Sequence, residues 1–178
     1  LISRSQQEDA AAFSLLVSTF QPLVFRLAFR LLCDEDEAKD MVQETFVKVW
    51  LALGKYNGEC RFSTWIYKIT CNTCYDRLRS LYHSPLDNEA DYSVSVNISS
   101  DDNVELAVVN KQLRELILRY TDELSPRQRL IFTLRDIEEL DVPEVQTITG
   151  LSAGIIKTTL YLARKNIRNK MNQIDAGL

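Results

Sequence analysis

Apolar residues recur at helical spacing along most of this chain, and one internal stretch breaks the pattern. Phe13, Leu16, Val17 and Phe20 lie at i, i+3, i+4 and i+7, which is the spacing of one helix face. Pro22 interrupts this segment, and the spacing restarts after it. Further segments with the same spacing are residues 34–53, 62–82, 106–120, 125–137, 141–149 and 152–171. The sequence therefore predicts an all-α protein.

Residues 83–103 divide the helical segments into two groups. Ser, Asn and Asp dominate this stretch, and six acids with no Lys or Arg lie between His83 and Glu105. A short alternation at residues 94–98 has no second strand to pair with. We therefore predict two small helical domains, residues 1–82 and 104–178, joined by an acidic flexible linker at residues 83–103.

The charge of the chain is distributed unevenly. The net charge is −4, with 21 basic and 25 acidic residues, which by itself argues against a nucleic-acid binder. Residues 151–174 nevertheless carry five cations and no acid, and residues 61–79 carry four cations and one acid. Residues 34–44 carry six acids and one lysine. The distribution indicates two surfaces for anions and one surface for a basic partner.

The C-terminal segment has the proportions of a helix-turn-helix. A short helix at about residues 142–149 is followed by a turn at residues 150–152 and by a long basic helix. The stripe of this last helix that we expect to face the core is Ile156, Leu160, Ala163, Ile167 and Met171. The neighbouring stripe, suited to phosphates and base edges, is Gly154, Lys157, Thr158, Tyr161, Lys165 and Arg168. The alternative for this stripe is a solvated basic helix face.

Aromatic residues and cations share one face of the helix predicted from Phe62. That face carries Trp65, Lys68, Asn72, Tyr75, Asp76 and Arg79. The opposite face, expected to meet the core, carries Ile66, Thr70, Cys74, Leu78 and Leu81. Rings stack on unstacked bases and cations hold phosphates, so this face suits a single nucleic-acid strand. The alternative is that Trp65 and Tyr75 are half-buried packing residues.

The sequence contains no pattern that is typical of a metal site or a catalytic site. Cys71 and Cys74 form a Cys-x-x-Cys pair, but on a helix both lie towards the apolar side, and no second pair has metal-ligand spacing. We therefore predict no metal and no cofactor. One histidine, no glycine-rich phosphate loop and no Ser/His/Asp set predict neither an enzyme nor a small-molecule substrate.

The composition favours a globular cytoplasmic protein. Of the 178 residues, 46% are apolar and 26% are charged, which is too hydrophobic for a disordered chain. Four cysteines in a chain of this size predict a reduced compartment. We expect no apolar run of the roughly 20 residues that cross a bilayer, and no signal peptide. The chain begins at Leu1, so we expect a few preceding residues to be missing.

Four segments, in order along the chain, resemble the extracytoplasmic-function (ECF) sigma factors of bacterial RNA polymerase. Residues 12–16 resemble the opening helix of that family, and residues 40–46 through Trp50 resemble its polymerase-docking helix. Residues 62–69 with Asn72 and Thr73 resemble the helix that opens and reads the −10 element. Residues 124–129 and the helices after them resemble the domain that reads the −35 element.

The resemblance implies a transcription-initiation subunit that binds core RNA polymerase, directs it to specific promoters and helps melt the −10 element. Residues 1–82 would bind the core and the −10 element, and residues 104–178 would bind the −35 element. The linker would run towards the RNA exit path, and the loop from Tyr56 to Phe62 would take up a flipped base. The resemblance also implies an anti-sigma factor, often membrane-anchored, as a partner.

The same resemblance assigns site residues. Those for core polymerase are Asp40, Gln43, Glu44 and Trp50. Those for the −10 element are Asn57, Gly58, Arg61, Phe62, Trp65, Lys68, Asn72, Asp76 and Arg79. Those for the −35 element are Gly154, Lys157, Thr158, Tyr161, Lys165 and Arg168.

This sequence departs from the family at a few positions. The family often has Arg where Thr159 and Leu162 stand, and usually Asp-Ser where Glu59 and Cys60 stand. Two other classes stay open from the residues themselves. One is a repressor or activator with a single helix-turn-helix and a sensor domain, and the other is an interaction adaptor that uses the acidic helix.

Overall fold

The computed structural model describes residues 2–7, 9–82, 120–121 and 123–176, and within these ranges it is helical, with no strand. The helices are α1 (Ile2–Ser5), α2 (Ala10–Leu32), α3 (Glu35–Ala52), α4 (Phe62–Tyr82), α5 (Pro126–Phe132), α6 (Val142–Thr149) and α7 (Ala153–Ala176). A 3₁₀ turn, Leu53–Lys55, follows α3, and a π-helical turn, Thr133–Ile137, follows α5. The all-α prediction is confirmed. The predicted linker at 83–103 and almost all of the helix predicted at 106–120 lie outside the described residues.

Side-chain caps begin three helices at residues 34, 125 and 141, where three of the predicted helical segments begin. The Asp34 carboxylate accepts hydrogen bonds from two backbone N–H groups in the first turn of α3. Ser125 and Gln128 form a reciprocal capping box at the start of α5. Asp141 and Glu144 form a second one at α6. These side chains satisfy backbone donors that have no partner inside their helices.

Pro22 does not restart a helix, contrary to the sequence prediction. It lies inside α2, which runs without a break from Ala10 to Leu32. Proline removes one backbone hydrogen bond and disfavours a helix interior. Here α2 buries Leu16 on one side of Pro22 and Val24 and Leu27 on the other, and this packing against α3 and α4 outweighs the local cost.

By length and composition, α2 could also cross a membrane, which corrects the expectation that no apolar run approaches that length. Core helices pass the same test. Two arginines, Arg26 and Arg30, lie in its second half, and eight of its side chains are buried in the fold. We therefore describe α2 as a core helix.

The described helices form an N-terminal group, α1 to α4, and a C-terminal group, α5 to α7. Among the described residues there are two apolar cores, and the two groups share one of them. The first core lies between α2, α3 and α4 and contains Leu16, Val24, Val42, Phe46, Val49, Leu53, Phe62 and Ile66. The second core combines residues of α2 and α4 with residues of α5, α6 and α7. From α4 it takes Tyr67, Cys71, Cys74 and Leu78, and from the C-terminal helices it takes Leu130, Ile131, Leu134, Val145, Ile148, Ile156 and Leu160. Helices α5 and α6 therefore pack directly on α4, and α7 packs on α5 and α6.

A buried glutamate joins the two groups. Glu138, which follows the π-helical turn, has a side chain that is only 6% exposed. Its carboxylate forms an ion pair with Arg30 of α2 and accepts a hydrogen bond from the Tyr67 hydroxyl of α4 at 2.7 Å. Burial first, and then Glu138, raise the pKa of Tyr67, so its hydroxyl remains a donor at neutral pH.

Candidate functional site

The acidic face of α3 is exposed. Asp40, Gln43, Glu44 and Trp50 all lie at the surface, while Met41, Val42, Thr45, Phe46 and Val49 are buried beneath them. Glu44 forms an ion pair with Lys48 at 2.7 Å. Asp40 has no ion pair among the described residues. The Trp50 ring is held edge-to-face against Phe13, with centroids 4.6 Å apart. The structure therefore brings the four predicted polymerase-contacting residues onto one helix surface.

The loop between α3 and α4 is held at both ends by hydrogen bonds. Gln6, which follows α1, donates to the backbone oxygens of Leu53 and Tyr56, at 3.1 and 2.8 Å. The Tyr56 hydroxyl donates to the oxygen of Cys60 at 2.7 Å, closing the loop. Gly58, at the tip, has a φ of +81°, a conformation that side chains disfavour. The exposed predicted residues Asn57, Gly58 and Arg61 thus lie on a preformed loop.

Phe62 lies under this loop. Its side chain is 6% exposed and packs against Phe20, Tyr56 and Trp65, with ring centroids 5.1 to 5.4 Å apart. Trp65 is half-buried in the same aromatic cluster. In this structure Phe62 supports the loop from the core, so its predicted contact with DNA stays a prediction.

The polar face of α4 is exposed. Lys68, Asn72, Asp76 and Arg79 lie at the surface in a row, and Arg79 lies over the half-buried Tyr75 ring at 6.0 Å. The opposite face is buried at Ile66, Thr70, Cys74 and Leu78 as predicted. Leu81 is 41% exposed, which contradicts its predicted core position. It follows Leu78, the last residue of α4 in the shared core.

Sequence reasoning missed Tyr67 of α4, and with it the stripe that meets the C-terminal helices. Tyr67 and Cys71 are buried together with Cys74 and Leu78, and these four side chains pack against the C-terminal helices. Their spacing, i, i+4, i+7 and i+11, is itself a helical stripe and could have signalled it. A small crevice where the two groups meet is lined by Arg61, Ser63 and Thr64 on one side and by Leu140 and Glu144 on the other. Part of the predicted −10 surface thus lies beside the C-terminal helices.

Helices α6 and α7 form the predicted helix-turn-helix. Gly150 ends α6 with a left-handed φ of +72°. The Ser152 hydroxyl accepts a hydrogen bond from the N–H of Ile155 at 3.4 Å, at the start of α7. Ile156, Leu160 and Ala163 are buried, and Ile167 is half-buried. Met171 is 43% exposed, so the predicted core stripe ends before it.

The outward face of α7 is basic. Gly154, Lys157, Thr158, Tyr161, Lys165 and Arg168 are all exposed. Arg164 is directed elsewhere, since it makes two hydrogen bonds to Asp136, at 2.6 and 2.8 Å. That pairing raises the pKa of Arg164 and fixes α7 to the end of the π-helical turn. The three exposed cations remain available to an anionic partner.

The cysteines are placed for packing. Cys71 and Cys74 are buried and unpaired, and burial raises the pKa of Cys74 to about 12 and that of Cys71 well above its usual value. Both thiols therefore stay protonated, whereas metal binding and nucleophilic attack need thiolates. No group of three or more metal-ligating side chains occurs within the described ranges.

Comparisons with known proteins agree with this arrangement. The family described as "Sigma-70 region 2" matches residues 16–83, and "Sigma-70, region 4" matches residues 114–167. The chain is 30% identical to the ECF RNA polymerase sigma-E factors of Salmonella typhimurium and Escherichia coli, over 98% of this chain and 94% of each relative. It is 28% identical to the RNA polymerase sigma-H factor of Pseudomonas aeruginosa, over 94% and 90% of the two chains.

Two solved structures share the fold. CnrH, in complex with the cytosolic domain of CnrY, superimposes with a TM-score of 0.68 at 19% identity, covering 97% of this chain and 95% of CnrH. The sigma factor RpoE, in complex with the anti-sigma factor NepR from Bartonella quintana, gives 0.61 at 22% identity, covering 90% and 97%.

The family matches cover both groups of helices, and the relatives align over nearly the full length of the chain. The chain therefore belongs to the ECF family of RNA polymerase sigma factors, whose members bind core RNA polymerase and direct transcription initiation at specific promoters.

Proposed function

We propose that this chain uses three separate surfaces for the three contacts of a promoter-specificity subunit. The acidic face of α3 binds core polymerase, the polar face of α4 with its preceding loop binds the −10 element, and the outward face of α7 binds the −35 element. Residues 1–82 and 104–178 act as the two domains, with 83–103 as the linker. The chain performs no catalysis of its own, and it acts in the cytoplasm, where the polymerase is.

One observation supports this proposal best: the three surfaces are exposed on helices that are anchored in the apolar cores, and they differ in chemistry. Asp40 and Glu44 supply negative charge to a basic partner. Lys68 and Arg79 flank the amide of Asn72, which suits an unstacked strand. Lys157, Lys165 and Arg168 project from a helix-turn-helix, which suits the major groove of a duplex. An adaptor needs only the first surface, and a repressor needs only the third.

We also propose an anti-sigma factor as a partner. CnrH and RpoE, which share this fold, are both seen in complex with a protein partner, and NepR is named an anti-sigma factor. Such a protein would regulate this chain by covering surfaces that the polymerase needs.

The acidic face provides the decisive experiment. Asp40 and Glu44 are four residues apart, and like charges at this spacing repel by about 0.2–0.5 kcal/mol. Glu44 is offset by its ion pair with Lys48, whereas Asp40 has no ion pair among the described residues, so the helix itself gains nothing from Asp40. Losing one partner of a hydrogen-bonded charge pair that is buried in an interface costs roughly 2–5 kcal/mol. We expect the double variant Asp40→Lys with Glu44→Lys to stay folded and to lose core polymerase in a pull-down.

A second acidic residue of α3, Asp36, serves as a matched control for the charge reversal at Asp40. Asp36 lies one turn before Asp40 on α3, and its side chain is 95% exposed. Asp36→Lys should retain core binding, whereas Asp40→Lys should weaken it at least tenfold, with circular dichroism confirming folding. Wild-type core affinity in the folded double variant would refute the assignment of this face.

A further inference from the structure

An apolar strip lies beside the cations on the outward face of α7. Ile155 is 44% exposed and Leu162 is 42% exposed, and exposed Thr158 lies between them along the helix. We name Ile155, Thr158 and Leu162 the apolar strip. Their spacing, i, i+3 and i+7, places them on one side of the helix.

The strip is turned away from the protein. Ile156, Leu160 and Ala163 occupy the opposite side of α7 and are 0%, 7% and 0% exposed, which anchors the helix in the shared core. Arg164 is tied to Asp136 and cannot cover the strip without breaking that pair. The position of the strip is therefore fixed by the buried side of the helix.

The charges beside the apolar strip indicate that its partner is a nucleic acid. Lys157, Lys165 and Arg168 are exposed on the same helix, and no acidic residue occurs between Ala153 and Ile174. A phosphate backbone complements these cations, and the first turns of a capped recognition helix are the part that reaches base edges. With the cations on the phosphates at one flank of the helix, the strip beside them would lie against the floor of a DNA groove.

The floor of the major groove offers one apolar group. Guanine, cytosine and adenine present hydrogen-bond donors and acceptors there, whereas thymine adds its C5-methyl. An isoleucine or leucine side chain placed against the polar edge of a base would remove the donors and acceptors of that base from water without supplying a hydrogen bond. Against a thymine methyl, the same side chain gains from apolar burial.

We propose that Ile155 and Leu162 determine promoter specificity by contacting thymine methyl groups in the −35 element. This proposal rests on the proposed binding of α7 to that element. The two residues are seven positions apart, roughly 10 Å along the helix. At 3.4 Å per base pair they cannot contact the same pair, so the two thymines lie about two to four base pairs apart.

Selection from a DNA library tests this directly. Holoenzyme, assembled from the full chain and core polymerase, is used to select duplexes randomised over the −35 region. We expect wild-type protein to enrich thymine at two positions at the stated spacing. Ile155→Ala should lose the preference at one position, and Leu162→Ala at the other. Met171→Ala is the matched control, because Met171 is equally exposed on α7 but lies off the strip.

Replacing each enriched thymine by uracil then isolates the methyl group, because uracil keeps every hydrogen-bonding group. The wild type should bind the uracil duplex about three- to fivefold more weakly, the scale of one buried methyl. The matching alanine variant should bind both duplexes equally. Full wild-type affinity for uracil duplexes would overturn the proposal.

A second readout separates this proposal from the proposed function. If Lys165→Ala and Arg168→Ala weaken −35 binding while the base preferences of both strip variants equal those of wild type, the thymine contacts are refuted and DNA binding by α7 stands. If the cation variants also have no effect, DNA binding by this helix is refuted as well. Loss of anti-sigma binding in the strip variants, with base preference unchanged, would make the strip a protein contact and overturn the proposal.

Discussion

Asn72 provides the cleanest test of the −10 surface at the scale of single residues. Its side chain is exposed on α4 between the exposed Lys68 and Asp76. Trp65 is less informative, because its ring packs 5.3 Å from Tyr56 and 5.4 Å from Phe62, so truncating it would also destabilise the loop.

We expect Asn72→Ala to impair open-complex formation about 5- to 150-fold. Asn72 would contact bases only in the melted state. Without its amide, a base group buried in the open complex would lack a hydrogen-bond partner, which costs roughly 1–3 kcal/mol. The measurement compares transcription from duplex and pre-melted promoters, and the control is Leu81→Ala, which changes an exposed side chain on another side of the same helix. Equal activity of Asn72→Ala and wild type on both templates would exclude a role in melting.

Single residues also show what the sequence could not predict. Leu81 and Met171 continue the helical apolar period, and both are exposed. Periodicity identifies the side of a helix that meets the core, but it does not show how far along the helix its packing partner extends. The caps at Asp34, Ser125 and Asp141 were predictable because their hydrogen bonds lie within a few residues of sequence.

At the scale of helices, α4 is the element that local patterns describe least well. Its Ile66 side was predicted correctly, whereas the stripe that begins at Tyr67 was not assigned a partner. Both stripes have helical spacing, and only the tertiary fold decides that the second one is covered by the C-terminal helices. The same reason explains Pro22, where burial along α2 outweighs a local helix-breaking preference.

The exposed cations of α7 are expected to have different roles, which depend on their position along the helix. Lys157 lies in the first turns, where recognition helices contact base edges, and Lys165 and Arg168 lie two to three turns later. We expect Lys165→Ala and Arg168→Ala to weaken −35 binding by a similar factor for all sequences and to lower the salt dependence by about one counterion each. Lys157→Ala should instead change the preferred sequence. The measurement is a salt titration of holoenzyme on several −35 duplexes, and unchanged slopes in all three variants would contradict this orientation of α7.

At the scale of the whole molecule, the packing of α5 and α6 on α4, and of α7 on α5 and α6, has a consequence for promoter binding. Elements named −10 and −35 lie about 25 base pairs apart, roughly 85 Å of duplex at 3.4 Å per base pair. Packed helices lie about 8–10 Å apart. With the −10 element on the face of α4 and the −35 element on the face of α7, as proposed, the two faces cannot reach both elements while the helices share a core. We therefore expect the C-terminal helices to leave α4 when a promoter is bound.

Glu138 is the residue whose change should favour that separation. Its buried carboxylate bonds Arg30 and Tyr67, both in the other group of helices, and breaking a buried ion pair by removing one partner costs about 3–5 kcal/mol. We expect Glu138→Ala to raise the radius of gyration of the full chain in small-angle X-ray scattering and to speed hydrogen exchange at the backbone of Tyr67, Cys71 and Cys74.

Asp136→Asn is the matched control, because it removes an acid two residues away whose partner, Arg164, belongs to the same group of helices. That variant should keep the wild-type radius, since its ion pair does not cross between the groups. An unchanged radius with unchanged exchange in Glu138→Ala would show that apolar packing alone keeps the two groups together, with no contribution from the buried pair.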